Sequence, residues 1–138
     1  MVETAVAQSV SQSYGRCLGQ KGFLQRFYDI FLASSPDLAP MFVNTDFEKQ
    51  VELLRASIAY AITYAENPEN SIAKQKLEAV GETHSIGKIN VKPELYPFWI
   101  NSLVQTVSEF DPKFSPDIEA NWRTAVQPTI DLLKSKYQ

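Results

Sequence analysis

The segment 47-FEKQVELLRASIAYAITYAE-66 decides the class of fold. Phe47, Val51, Leu54, Ile58, Ile62 and Ala65 recur at spacings of four, three, four, four and three, which lays one apolar stripe along a helix. A strand would need sustained alternation at period two, which this stretch lacks. Thr45 or Asp46 can cap its start, and Asn67-Pro68 stops it. Gln50 and Leu54, four apart, share one face.

Outward from that helix the same period persists, punctuated by glycine and proline. Upstream, an amphipathic segment from about Thr4 to Leu18 breaks at Gly19-Gln-Lys-Gly22, and an aromatic helix follows from Phe23 to Ala33 with Phe23, Phe27, Tyr28 and Phe31. Ser35-Pro36-Asp37 predicts a short helix that ends by Phe42. Downstream, a helix from about Ser71 to His84 carries Ile72, Leu77 and Val80 near one face, weakened by Gly81 and left at Gly87. Pro93 opens a long helix to about Phe110 with Leu95, Tyr96, Trp99, Leu103 and Val107 inward, and Asp111-Pro112 ends it. Ser115-Pro116-Asp117 starts the last helix, with Ile118, Trp122, Ala125, Ile130, Leu133 and Tyr137 as core candidates and Pro128 as an internal break or kink. The expectation is an all-α fold.

With 138 residues, 44% of them hydrophobic, the chain has the size and apolar content of a single domain, taken as residues 1–138. Thirteen Lys and Arg against sixteen Asp and Glu give a net charge of -3 and no basic stripe, which argues against a nucleic-acid partner. No apolar run nears the roughly 18 residues that span a bilayer, so no membrane partner is expected. Met1 to Val10 lack the pattern of a secretory signal, and Cys17, the one cysteine, cannot form an internal disulfide. Both point to the cytoplasm.

His84 is the single histidine. Alone at a helix end, such a residue is more often a dipole partner or a solvated side chain than a metal ligand. A zinc site fails on ligand count, because one His and one Cys leave half a tetrahedral site to carboxylates. Glu48 and Glu52, four apart, read as a solvated face, and nothing around Cys17 supports a thiol nucleophile.

The residues carry more meaning as an ordered set. Phe27-Tyr28-Asp29, then Pro36-Asp37-Leu38, then Phe42, with fourteen positions from Tyr28 to Phe42, resembles the FYD…PEL…F signature of the bacterial single-domain and flavohaemoglobin-type globins. Gln50 and Leu54 match the distal pair of that family, with a connecting loop about two residues shorter than in the flavohaemoglobins. His84 matches the proximal ligand, and Lys92-Pro93-Glu94-Leu95-Tyr96 looks like the family's KPEQY segment, about two residues further from the histidine. The similarity extends over essentially the whole chain and implies a globin fold of seven to eight helices around a haem pocket. The cofactor it implies is haem b, with iron held by His84.

By the same resemblance Phe42 would stack on the haem, Tyr28 and Gln50 would face the bound gas, Leu54 would lie over the iron, and Tyr96 would lie near the proximal ring. Trp99, one turn beyond Tyr96, joins these as a cofactor contact, although helical aromatics are usually core. Tyr28 could equally be an ordinary buried tyrosine, and Gln50 could turn to solvent.

Chemically, a proximal imidazole needs an acceptor for Nδ1-H while Nε2 binds iron, and the carbonyl of Val80, one turn back, is the natural candidate. A ligand that takes on negative charge would be retained by the Tyr28 hydroxyl and the Gln50 amide, both donors. Arg55, Lys88 and Lys49 are candidate propionate partners. One histidine excludes a bis-histidine haem.

The function expected is reversible binding of O2, and of CO and NO, with no catalysis of its own. Nitric oxide dioxygenation is the enzymatic rival. These 138 residues hold no flavin or nicotinamide domain, so it would require a separate reductase. Lys134, Ser135, Lys136 and Tyr137 also occupy the stretch in which flavohaemoglobins place an acidic residue near the proximal tyrosine. A gas sensor or a haem-free interaction module is the remaining alternative.

Overall fold

Asp46 caps the central helix in the expected way: its side chain accepts from the amides of Glu48 and Lys49 at 3.1 and 3.4 Å. In the computed structural model, which describes residues 2–85 and 87–137, that helix is α3, Phe47–Glu66. Before it come α1, Thr4–Leu18, and α2, Phe23–Ala33; after it come α4, Ser71–Thr83, α5, Tyr96–Phe110, and α6, Pro116–Ser135. Gly22, at φ 92°, turns the chain from α1 into α2 through a left-handed conformation that disfavours any residue with a Cβ. No strand occurs among the described residues, and the fold is all-α.

The six α-helices among the described residues fall short of the expected seven to eight because two segments are single 3-10 turns, Ala39–Phe42 and Pro93–Leu95. Proline accounts for both. Pro40 has no amide to donate to the Pro36 carbonyl, so the short helix expected from Ser35 cannot make its second α-type bond. Pro97 likewise cannot bond back to Pro93, and the α-ladder begins at Tyr96. Pro128 behaves differently: α6 continues through it to Ser135, so it removes one amide donor without ending the helix.

Helix α6 runs against α1, α3 and α4, while α2 packs on α5 and α3 on α4. Between them lies a core whose largest fully buried side chains include Trp122, Phe23, Phe27, Leu24, Ile58 and Leu77. Rings meet edge-on where three helices converge, Tyr14 on Trp122 at 6.1 Å and on Phe23 at 6.2 Å. Three expected core residues are outside it, one of them Tyr137, which lies beyond the end of α6 at Ser135 and is only half-buried. Ile72 is 63% exposed because α4 buries the face of Ala73, Leu77 and Gly81, one position around the helix. Phe47, at the N-terminal end of the α3 stripe, is 36% exposed.

A buried polar knot ties the ends of α1 and α5 to α6. Asp111, the C-cap of α5 and 4% exposed, accepts from Ser13 Oγ at 2.6 Å, from Arg16 Nε and Nη2 at 2.7 and 2.9 Å, and from the Lys113 amide at 2.9 Å. The Trp122 indole in turn donates to Ser13 Oγ at 2.9 Å. Burial pushes the Asp111 carboxyl up, but its donors outweigh that and hold it at about 2. Cys17, beside this knot on α1, is 0% exposed, and burial pushes its thiol up to about 12. No helix among the described residues is long and apolar enough to cross a membrane.

Candidate functional site

Tyr28 lies on α2 among the aromatic residues that period places inward, and it is 5% exposed. Its phenol finds one partner: the Gln50 side-chain amide, from the first turn of α3, donates to Tyr28 Oη at 3.0 Å. Burial raises the phenol to about 12 despite that bond, so Tyr28 keeps its proton at neutral pH. Since Oη accepts from Gln50, the O–H remains free to donate elsewhere. The Gln50 NH2 carries a second N–H, so each of the two residues keeps a donor. Gln50 spends a donor on Tyr28 and fixes its orientation.

Around this pair stand aromatic walls. Phe42, half-buried at the end of the first 3-10 turn, lies 6.0 Å from Tyr28 and stacks on Phe47 at 6.1 Å with 24° between the rings. Phe47 also meets Tyr28 edge-on at 5.5 Å. Its role in this cluster was missed in the sequence, where it was assigned to the core, yet the spacing 47, 50, 54 carries the signal: three residues on one face of α3. Leu54, 5% exposed, closes that face.

Helix α4, packed on α3, ends at the second group. His84 is the C-cap of α4, and its backbone amide donates to the Val80 carbonyl at 3.0 Å. That corrects the expected Nδ1 acceptor. Being at the cap, His84 engages Val80 through its main chain, while its ring Nδ1 lies 3.4 Å from Tyr96 Oη, at the long end of hydrogen bonding. The Val80 side chain, half-buried, packs at the edge of the core. Burial lowers the His84 imidazole below its ordinary 6.5, leaving it neutral at pH 7 with a lone pair to give. Burial also raises Tyr96 to about 12.

The two groups join through α5. Trp99, one turn beyond Tyr96 and half-buried, meets Phe27 edge-on at 5.9 Å, and Phe27 meets Tyr28 at 5.1 Å. Arg55 pairs with Glu52 on the exposed side of α3 at 3.2 Å, and Lys49 and Lys88 are exposed.

Two recesses adjoin these residues. One of about 290 Å3 lies between the first 3-10 turn and the segment after His84, lined by Asp37, Met41, Ile89, Asn90, Lys92 and Leu95. The other, about 480 Å3, is lined by Glu48, Lys49, Glu52 and Leu53 of α3 alone; four neighbours on one helix surface make it an open groove. No group of three or more His, Cys, Asp or Glu side chains converges among the described residues. Chemically, a lone neutral imidazole suits a metal that brings its other ligands with it.

No protein-family profile matches the chain. Among solved structures it is similar to a Pseudomonas aeruginosa PAO1 protein described as structurally highly homologous to a human hemoglobin. The two share 39% sequence identity, with 96% of this chain and 98% of that one covered, at a TM-score of 0.89. Identity at that level along nearly the full length of both chains, on an all-α fold with this helix order, makes the chain a member of the bacterial single-domain globins.

Proposed function

We propose that residues 1–138 form one haem-binding globin domain, that His84 is the proximal iron ligand, and that the protein reversibly binds O2 and other diatomic gases on the side of Tyr28 and Gln50. The observation that carries this reading is the Gln50–Tyr28 hydrogen bond. It leaves a protonated, oriented phenol with its donor uncommitted in an aromatic surround. The donor set fits the group. A planar tetrapyrrole supplies four nitrogens and needs one more from the protein, and this chain offers a single neutral imidazole with no competing ligand cluster among the described residues.

When bound, haem would be held by His84 and would supply an iron able to bind a diatomic gas. The chain's own residues do the rest. Tyr96 Oη, facing Nδ1, orients the imidazole ring. Tyr28 donates to negative charge on a ligand, and Gln50 prevents its hydroxyl from turning away. Phe42, Phe47 and Leu54 set apolar side chains around it, which strengthens that donation. A hydrogen bond to charge of roughly 1.5–3 kcal/mol slows ligand release by about one to two orders of magnitude.

The deciding experiment is absorption spectroscopy of ferric, dithionite-reduced and CO-treated protein, wild type and His84→Ala. A Soret band that shifts with CO in the wild type and is lost or altered in the variant supports the reading. A protein that stays colourless after haemin titration rejects it.

A further inference from the structure

The last turn of α6 meets α4 one turn before His84, and it does so at a glycine. A Cβ on Gly81 would lie 3.0 Å from both Cβ and Cγ of Lys136 and 3.4 Å from Leu133 Cα, so the chain packs there more tightly than a Cβ ordinarily meets its neighbours. The sequence shows only a weak helix former there; the fold shows a seat. Two polar ties flank it. Lys136 Nζ pairs with Glu78 Oε2 at 3.0 Å, and the Tyr137 hydroxyl donates to Asn90 Oδ1 at 2.6 Å.

Asn90 is itself held in a left-handed conformation, φ 59°, with its amide donating to the Ser85 carbonyl, while the Val91 amide donates to the His84 carbonyl. His84 thus lies between two points gripped by the far end of the chain. Helix α4 depends on such a grip, because it buries only Ala73, Leu77 and Gly81 along its length.

We propose that Gly81 is a positioning residue for His84: the close contact of Lys136 with Gly81, together with the Tyr137–Asn90 bond, sets the height of the imidazole against Tyr96. The functional consequence rests on the reading of His84 as the haem ligand. A methyl at residue 81 requires Lys136 to give by a few tenths of an ångström. At a ring whose Nδ1 is 3.4 Å from Tyr96 Oη, that is enough to make or lose the contact.

Because the chain has one histidine, labelling with 15N-histidine gives a single imidazole to follow. Gly81→Ala should shift the ring-nitrogen resonances in the apoprotein and the iron–imidazole stretching band of the ferrous haem-loaded protein. Adding Lys136→Gly, which removes both side-chain atoms the methyl meets, should return both signals towards wild type. Ala79→Gly, on the exposed face of α4, weakens the helix by propensity alone and should leave both in place.

Signals unmoved by Gly81→Ala, moved equally by Ala79→Gly, or not restored by Lys136→Gly would overturn the proposal. If Gly81→Ala does not fold, Lys136→Gly alone decides: hydrogen exchange at the Asn90 and Val91 amides should quicken, and unchanged exchange overturns it. Absence of an iron–imidazole band in the wild type would reject the haem reading, while the apoprotein resonances would still test the seat.

Discussion

Replacing Asp111 by Asn should cost the fold about 3 kcal/mol at neutral pH, toward the lower end of what breaking a buried, hydrogen-bonded ion pair costs. The carboxylate accepts four hydrogen bonds, from Ser13, from two nitrogens of Arg16 and from the Lys113 amide. Asparagine is nearly the same shape, but its NH2 would confront one of those donors and Arg16 would lose its counter-charge. The pKa gives an independent figure. A drop from the ordinary 3.8 to about 2 means the folded state prefers the ionised form. At about 1.4 kcal/mol per unit, the linkage is worth roughly 2–3 kcal/mol.

The sign follows from the depressed pKa: this stability is fully present above the unfolded value and is lost as pH falls through the folded one. Urea unfolding should therefore show the difference between wild type and Asp111→Asn near its full size at pH 6. It should shrink by about 1 kcal/mol at pH 3 and by roughly 2 kcal/mol at pH 2. A difference that stays constant across that range would refute the assignment of the charge, and a difference below about 0.5 kcal/mol at pH 6 would refute the knot itself.

Tyr28→Phe should speed O2 dissociation about 10- to 100-fold in stopped-flow displacement, and an unchanged rate would place this phenol in the core alone. Gln50→Leu, which frees Tyr28 to rotate, should speed release by a smaller factor; equal or greater acceleration would show the amide contacting the ligand directly. Asp46→Ala removes acceptors for two amides of α3 and should cost about 1 kcal/mol in urea unfolding. Leu77→Ala, at the most buried large side chain of α4, should cost about 2–5 kcal/mol and lower haem retention with it; full retention would show that α4 is held by its ends.

Local chemistry made much of this fold readable from sequence. The caps at Asp46 and Ser115, the break at Asn67-Pro68 and the stripe on α3 all act within a few residues, and the structure has them where period and capping place them. What resisted reading involves distance along the chain. Asp111 looked like a helix stop because its partners Ser13 and Arg16 are 98 and 95 positions away. Gly81 looked like a flaw because Lys136 is invisible from it. Ile72 was misplaced by one position of helix rotation, and the 3-10 turns by two prolines whose missing amides matter only once a ladder is attempted.

For the site, order along the chain marked Tyr28, Gln50 and His84 individually. The direction of the Gln50–Tyr28 bond and the turn of the His84 ring toward Tyr96 depend on how α3 and α5 sit against their neighbours.

Cys17 turns the knot into a clock. Its sulfur is sealed and almost wholly protonated in the native state, so a thiol reagent can reach it only when α1 lifts from its neighbours. Under conditions where closing outpaces modification, the labelling rate is the intrinsic thiol rate multiplied by the fraction of molecules open at that seam. A single mass shift per chain then times the opening of the α1 interface in the intact protein, without denaturant and with or without cofactor.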